Sequence, residues 1–371
     1  MDNHSASSIR PSELVFSFPR LGDYYIIIAD FIKEMFPGQK VLICPPITEK
    51  TLELGNRHSP DFVCSPFKTT LGNYIEAHEA GANVLIQSGT GCRYGYYGEV
   101  QEQILRDLGY DFTFLCFARE RARPDRIFKT LRTLDPGLRA WTCIRALAAA
   151  LYKIYLMDKF LFFLRENGAF EAEKGAFEAL KNELYAGFSG KRSFVSLRRL
   201  KRDIMAKAHA VPLKKPERPL RVGIVGDLYT LMEPGGNYFI ENELMESGVS
   251  VSREMSLTFL AKKSKRLSLF LARNYLKYDA GANGTDSVRL SERYARRGYD
   301  GVIHMKSFGC TPEINVIPAL QRISADYSMP ILHLSFDAQT GETGTRTRVE
   351  AFVDMIRMRK AHRNKALGVR S

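Results

Sequence analysis

Three cysteines of this chain share one local sequence context. Cys64 in FVCSPFK, Cys92 in GTGCRYGYYGE and Cys310 in FGCTPE each follow a strand-like run or a glycine and precede residues typical of a first helical turn. A thiol at a helix amino terminus lies at the positive end of the helix dipole, which favours the thiolate. Because the thiolate binds metals and attacks electrophiles, these cysteines are candidates for either role.

The residues around these cysteines favour the same chemistry. Arg93 and Lys68 are cations close in sequence to Cys92 and Cys64, and a nearby cation stabilises a thiolate. The glycines of GTGC and FGC would let a bulky cofactor approach the backbone closely. The tyrosines of RYGYYGE would either surround a cofactor or pack in the core. A purely structural role stays open for each cysteine, since free cysteines are among the most buried residue types.

The remaining cysteines and the histidines give weaker signals. Cys44 and Cys116 lie in apolar, strand-like runs, and Cys143 lies in the helix-like pattern RAWTCIRAL, so we predict structural roles for all three. No two cysteines form a C-x-x-C motif, which argues against a zinc ribbon or a ferredoxin-type site. The seven histidines form neither H-x-x-H nor H-E-x-x-H, so a histidine metal site is not indicated.

A glycine-containing stretch, VGIVGDLYTLMEPGGN, begins the second half of the chain. Its glycines do not match G-x-G-x-x-G, so it is only a weak signal for dinucleotide binding. Asp227, Glu233 and Asn237 could line a cleft there, but their positions are more typical of helix caps and turns.

Strand-like and helical patterns alternate in the first third of the chain, which predicts a parallel sheet covered by helices. Cys92 would then lie beyond the carboxyl end of a strand, where open α/β sheets bind their ligands. The predicted strands are 40–46, 61–67, 82–91 and 110–117, and the predicted helices are 70–81 and 98–109.

The pattern changes near residue 120 and changes back near residue 212. The intervening segment has helical periodicity, and it ends in the proline-rich, basic stretch AVPLKKPERPLR. We therefore predict three parts: an α/β domain 1–120 with Cys64 and Cys92, a helical insertion and basic linker 121–215, and an α/β domain 216–371 with Cys310. In the last part we predict strands 220–230, 301–309 and 330–337, and helices 240–248, 312–327 and 346–360.

The chain has 371 residues and a net charge of +13, most of it in one segment. Between Lys191 and Arg221, eleven Lys or Arg residues stand against two acids, a net charge of +9. A solvated helix and linker is the favoured interpretation; a surface for an acidic partner or polyphosphate is the alternative, and nucleic-acid binding is the weakest. A composition of 45% hydrophobic and 26% charged residues is that of a globular protein and excludes global disorder.

Compartment and membrane topology are suggested by the amino terminus and by one apolar stretch. MDNHSASSIRPSEL lacks the apolar core of a signal peptide, and six cysteines without an export signal predict reduced thiols, so we expect a cytoplasmic protein. The apolar stretch 146–164 is interrupted by Lys153, Asp158 and Lys159. We therefore predict one or two buried amphipathic helices there instead of a membrane span.

Two long segments resemble a known family. PPITEKTLELGNRHSPDFVCSPFKTTLGNYIEAHEAGANVLIQSGTGCRYGYYGEVQEQILRDLGYDF and GCTPEINVIPALQRISADYSMPILHLSFDAQTGETGTRTRVEAFVDMI are similar to the 2-hydroxyacyl-CoA dehydratase and CoA activase-related family. The resemblance covers roughly residues 40–117 and 218–358. It implies an α/β fold with two Rossmann-like or flavodoxin-like parallel-sheet domains and a helical segment between them.

The resemblance also implies a cofactor. Members of this family hold an oxygen-sensitive 4Fe-4S cluster through three cysteines, and the matching motifs assign that role to Cys64, Cys92 and Cys310. Three thiolate ligands would leave one iron with an open position. A related branch carries a double-cubane cluster, which needs six cysteines, whereas only three cysteines here have the required context.

A partner and a reaction follow from the same resemblance. A separate ATPase activase of the actin and sugar-kinase superfold would deliver low-potential electrons, because this chain has no phosphate loop of its own. The chain would act as an ATP-dependent reductase or as a dehydratase component, a lyase, on an acyl-CoA or small substrate, with pairing into homo- or heterodimers left open. The alternative is a non-enzymatic, two-domain Rossmann-like protein that binds a nucleotide or acyl-CoA and has core cysteines.

Overall fold

The computed structural model describes residues 14–88, 92–117, 123–191, 193–337 and 339–366. The chain divides into two compact units, Met1–Lys153 with Phe188–Leu197, and Ile154–Gly187 with Arg198–Ser371. The glycines of GTGC and the amino-terminal polar stretch 1–13 lie outside the described residues.

The first unit contains a four-stranded parallel sheet with the strand order β2-β1-β3-β4. Helices cover both faces. Val84 packs with Ile32 on one face, while its neighbour Leu85 packs with Leu71 on the other, as expected for adjacent residues of a strand. The strands are β1 (Val15–Ser17), β2 (Lys40–Val41), β3 (Val84–Gln87) and β4 (Thr113–Cys116), and the helices are α1 (Tyr25–Met35), α2 (Glu49–His58), α3 (Ser65–Glu79), α4 (Tyr94–Asp107) and α5 (Pro124–Leu134).

After α5, three further helices lead along the described chain to the second sheet: α6 (Ala140–Asn167), α7 (Ala176–Ala186) and α8 (Phe194–Ala210). The boundary between the units falls within α6 and again within α8. In α6, Lys153 is almost completely buried and pairs with Asp30, which explains how a charge is tolerated in this apolar stretch. None of the helices in the described part of the chain is long and apolar enough to cross a membrane.

The prediction of buried helices for 146–164 needs correction. One continuous helix forms, and its first half exposes a row of apolar side chains at helical spacing, namely Trp141, Ile144, Leu147 and Leu151. The helix is therefore only partly buried within this chain.

The second unit contains another four-stranded parallel sheet, with the order β6-β5-β7-β8. All seven residues of β7 are buried, as is usual for a central strand that is covered on both faces. The strands are β5 (Leu220–Gly226), β6 (Val249–Ser252), β7 (Gly301–Ser307) and β8 (Ile331–Phe336), and the helices are α9 (Leu228–Met232), α10 (Ile240–Glu246), α11 (Leu257–Lys262), α12 (Lys265–Ala272), α13 (Gly284–Arg296), α14 (Thr311–Asn315), α15 (Ile317–Asp326) and α16 (Glu342–Ala366).

Both sheets therefore have the same topology. In each, the first strand in sequence lies between the second and the third, the order found in flavodoxin-like doubly wound folds. The predicted fold class, an α/β chain with two Rossmann-like parallel-sheet domains, is confirmed.

Several predicted elements differ from the observed ones. No strand forms at 61–67; instead Phe62 is 93% exposed and α3 begins at Ser65, with Pro66 in its first turn. The sequence did not predict two short strands, β1 and β6. The predicted helix 312–327 is broken at Val316, where Pro318 begins a new helical turn.

Candidate metal centre

Cys64 occupies the N-cap position of α3 and is half-buried. Its carbonyl oxygen accepts a hydrogen bond from the backbone N–H of Phe67, which closes the first turn of the helix. Its sulfur lies 2.5 Å from the Tyr97 hydroxyl oxygen. Pro66 suits this turn because its missing N–H is not needed there, so the local sequence fixes the thiol at the helix terminus.

Cys92 lies two residues before the first residue of α4 and is exposed. The backbone N–H of Tyr94 donates to its sulfur at 3.4 Å, and the N–H of Gly95 donates to its carbonyl oxygen at 3.1 Å. The first amides of α4 are thus directed toward this residue, which is the setting that stabilises a thiolate. Its exposure contradicts a role as a core residue.

The structure brings Cys64 and Cys92 to the same pair of tyrosines. Burial is the main cause of the raised pKa of Tyr94 and of Tyr97, and the nearby Cys64 and Cys92 side chains raise both further. Both phenols therefore stay protonated, so that the Tyr97 hydroxyl can donate its hydrogen bond to the Cys64 sulfur. Two of the three predicted ligands thus share one tyrosine-lined site in the first unit.

Cys310 has an equivalent setting in the second unit. It follows β7, occupies the N-cap position of α14 and is half-buried. Its N–H donates to the carbonyl oxygen of Ser307 at 3.0 Å, and its carbonyl oxygen accepts from Ile314 N–H at 3.0 Å. Lys306 is buried nearby. Burial lowers the pKa of Lys306, and among the groups that oppose this shift the Cys310 side chain has the largest effect.

A buried carboxylate holds the loop before Cys310. Asp227, at the end of β5, accepts hydrogen bonds from the N–H of Ser307 at 2.5 Å and from the N–H of Thr230 at 3.0 Å. Burial raises the pKa of Asp227, and the hydrogen bonds from Thr230 and Ser307 oppose that shift. This network connects the ends of β5 and β7.

Cys92 and Cys310 occupy the same topological position. Each follows the third strand of its sheet, and in each sheet that strand is paired with the first strand. The order of connections reverses between these two strands, and ligands of open α/β sheets bind beyond the carboxyl ends of strands at such a switch point.

Comparison with known families adds an independent observation. Residues 175–356 match the family described as 2-hydroxyglutaryl-CoA dehydratase, D-component. This match supports the 2-hydroxyacyl-CoA dehydratase-like family for this chain. It spans about half of the chain and includes Cys310, while Cys64 and Cys92 lie outside it. A search of curated proteins gives no significant match.

Dehydratases of this family are generally associated with iron-sulfur clusters and generally work with a separate activase. Within the described ranges, no group of three or more His, Cys, Asp or Glu side chains could hold a metal ion. Cys64 and Cys92 belong to one compact unit and Cys310 belongs to the other. The complete three-cysteine ligand set therefore stays a prediction.

The other three cysteines lie in or against the core of the first unit. Cys44 is buried, donates to the Phe18 carbonyl oxygen at 3.2 Å, and has a pKa raised by burial to about 11. Cys116 is buried and donates to the Gln87 side-chain oxygen at 3.4 Å. Cys143 packs against the core of the first unit, and burial raises its pKa.

The three polar residues singled out after β5 act as caps and in turns. Asp227 caps α9, Glu233 accepts from the N–H of Gly235 at 3.3 Å, and the Asn237 amide donates to the Thr230 carbonyl oxygen at 2.6 Å. The prediction of capping and turn roles is confirmed.

Sequence reasoning missed a polar chain that joins the half-buried His333 to the buried His304 and Glu313. His304 and His333 are register partners on β7 and β8, and their Nδ1 atoms are 2.9 Å apart. His304 Nε2 lies 2.9 Å from a carboxylate oxygen of Glu313, in the first turn of α14. No short motif could reveal this group, because strand pairing brings its members together.

His333 should make the stability of the fold depend on pH. Burial is the main cause that lowers the pKa of His333 to about 4, and His304, Lys306 and Arg348 lower it further. Because the unfolded chain titrates near pH 6.5, it binds more protons than the folded chain between about pH 6.5 and 4, so stability should fall as pH drops through that window.

Urea unfolding at pH 7.5 and pH 5 of the native chain and of His333→Gln tests this expectation. The native chain should lose more stability than the variant between the two pH values. Equal losses would show that His333 does not carry this pH dependence.

Proposed function

We propose that this chain is the iron-sulfur component of a 2-hydroxyacyl-CoA dehydratase-like system. In this proposal Cys64, Cys92 and Cys310 hold a 4Fe-4S cluster. The main support is the equivalent position of Cys92 and Cys310 at the switch points of two sheets with the same topology. Cys64 adds to it because its sulfur shares the tyrosines next to Cys92.

The chemistry of the three side chains fits such a cluster. Thiolates are the usual ligands of iron-sulfur clusters, and each of these thiols lies at or near a helix amino terminus, where the thiolate is stabilised. All three are at least partly accessible, whereas Cys44 and Cys116 are buried. Cys143 is half-buried like Cys64 and Cys310, so exposure separates the proposed ligands only from Cys44 and Cys116, and their position ahead of the first helical residue separates them from Cys143, which lies within α6.

Surrounding residues have definable roles in this proposal. When bound, a cluster would supply one-electron chemistry at low potential and would have one iron without a protein ligand. With Cys64 bound as a thiolate, the Tyr97 hydroxyl would donate to its sulfur, and hydrogen bonds to sulfur ligands tune the reduction potential of such sites. Asp227 keeps the loop before Cys310 in place through Ser307.

The proposal extends to a partner and a substrate. A separate ATPase activase would deliver low-potential electrons, and the reaction would be the reduction or dehydration of an acyl-CoA or small substrate. This part rests on the family match and not on a described contact.

Iron and sulfide analysis of protein purified without oxygen tests the cluster. We expect about four irons and four sulfides per chain for a single cubane. Cys64→Ala, Cys92→Ala and Cys310→Ala should each lose most of the iron, whereas Cys143→Ala, the matched control, should keep it. Colourless, iron-free protein after anaerobic reconstitution would contradict the proposal, as would equal iron in all four variants.

A further inference from the structure

A second candidate site lies in the second unit and does not include Cys310. It is a cavity of about 610 Å³ between the later part of α6, the helices α11 and α12, and α13. This volume is in the range of small-molecule sites. Neither Cys310 nor the residues that hold its loop line the cavity. Its walls carry six cations: Lys159, Lys262, Lys263, Arg289, Arg293 and Arg297.

Acidic side chains neutralise only part of this charge. Lys263 and Arg289 both pair with the buried Asp286, at 2.6 and 3.3 Å, and Arg293 pairs with Glu254. The remaining acid of the wall, Asp158, accepts a hydrogen bond from the backbone N–H of Thr258 at 2.8 Å.

Three of the six cations have no acidic partner among the described residues. Within the described part of the chain, Lys159, Lys262 and Arg297 have no carboxylate within 4.0 Å, and all three are exposed at the cavity. A cluster of uncompensated cations at a concave surface focuses a positive potential that attracts anions.

Tyr155 lies on the wall of the cavity, and its lowered pKa indicates this positive potential. Lys201 donates to its hydroxyl oxygen at 3.3 Å, and the Lys262 ammonium lies 5.5 Å from its ring centre. The hydrogen bond from Lys201 is the main cause of the lowered pKa of Tyr155, and the charges of Lys159 and Lys262 contribute. Lys201 belongs to the basic segment between residues 191 and 221.

Two donors at the cavity also need an acceptor. The Thr258 hydroxyl and the Nε–H of Arg293 are buried and have no hydrogen-bond partner among the described residues. Buried donors without acceptors are costly, so a ligand that supplies acceptor oxygens would stabilise this site.

We propose that this cavity binds an organic diphosphate. A diphosphate carries enough negative charge and acceptor oxygens to match three unpaired cations and two unpaired donors. The apolar side chains of Phe259, Leu267 and Leu271 also line the wall and would contact the organic portion of the ligand. This site does not depend on the cluster proposed above.

Calorimetric titration of the full chain tests the proposal with three probes: inorganic pyrophosphate, ADP and coenzyme A. At least one organic diphosphate should bind at least about tenfold more tightly than pyrophosphate, since only it can use the apolar wall. Comparison of ADP with coenzyme A then distinguishes a nucleotide from an acyl carrier as the source of the diphosphate.

Two double variants with the same change in charge provide the decisive comparison. Lys262→Gln with Arg297→Gln removes two unpaired cations, and the affinity should fall at least about tenfold. Lys265→Gln with Arg266→Gln removes two exposed cations outside the cavity, and the affinity should stay unchanged.

No binding of any probe would overturn the proposal, as would equal affinities of the two double variants, or pyrophosphate binding as tightly as both organic probes. Iron content measured in parallel keeps the two proposals separate. Both double variants should retain the iron of the native chain, whereas Cys310→Ala should lose iron and keep its affinity for the diphosphate.

Discussion

Gly226→Ala should destabilise the second unit by about 3 kcal/mol or more. Gly226 ends β5 with a φ of +148°, a conformation that residues with a side chain rarely adopt. A Cβ atom here would lie 1.7 Å from the carbonyl oxygen of Met305 on the paired strand β7. Since the obstacle is backbone, rotation of a side chain cannot relieve the clash and the two strands would have to separate.

The same displacement should reach the proposed cluster site. Asp227 directly follows Gly226, and its N–H donates to the Met305 carbonyl oxygen at 3.1 Å. Its carboxylate holds the Ser307 backbone three residues before Cys310. Gly226→Ala should therefore lower the iron content as well as the midpoint of urea unfolding.

Gly248→Ala is the matched control. Gly248 also has a positive φ, +76°, but no atom lies within 4 Å of a Cβ placed there. Only backbone strain remains, at a cost of about 1–2 kcal/mol. If urea unfolding gave the same loss for both variants, the close contact between β5 and β7 would not be the cause.

The strands that sequence reasoning located are those with long apolar runs. β5 and β7 have seven residues each, almost all buried, so their composition alone identifies them. β2, β3 and β4 have only two to four residues, but they lie in the longer predicted runs 40–46, 82–91 and 110–117. β1 and β6, with the sequences VFS and VSVS, do not lie in such a predicted run, and pairing with a neighbouring strand defines them. The strand prediction for residues 61–67 was wrong, because the apolar residues there precede a helix instead of pairing with a strand.

The candidate site was predictable only in part for a similar reason. The residues after Cys64 and Cys310 are local signals of a helix start, and the structure places the two N-caps at the cysteines themselves, one residue earlier than these signals suggest. The approach of Cys64 to the tyrosines beside Cys92 depends on how α3 packs against α4, which no local pattern encodes. The cavity likewise depends on how four helices pack, and its charged residues come from three of these helices, α6, α11 and α13, and from adjoining loops.

The second large effect is expected at Glu241, in the first turn of α10. Its carboxylate accepts from the Nε–H groups of Arg165 at 2.5 Å and of Arg253. Burial alone would raise the pKa of Glu241, but the two guanidinium groups outweigh it and the net pKa is lowered. The carboxylate is therefore charged at neutral pH, and it compensates two arginines that are themselves buried.

Glu241→Ala should lower the free energy of unfolding by about 3–5 kcal/mol, because it leaves two buried guanidinium groups without their counter-charge. Since the pKa is lowered on folding, this contribution is present above about pH 4.5 and should disappear as the pH falls further. Urea unfolding of the native chain and the variant at pH 7 and pH 4 measures both effects.

Glu183→Ala gives the comparison that isolates burial. Glu183 also pairs with a cation, Lys207, at 2.5 Å, but both side chains are about half exposed. Water solvates each charge when the other is removed, so the loss should be no more than about 1 kcal/mol. A loss at Glu241 as small as that at Glu183 would mean that water reaches Arg165 and Arg253 in the variant, and that the three charges do not stabilise the packing of α6 against α10 and β6.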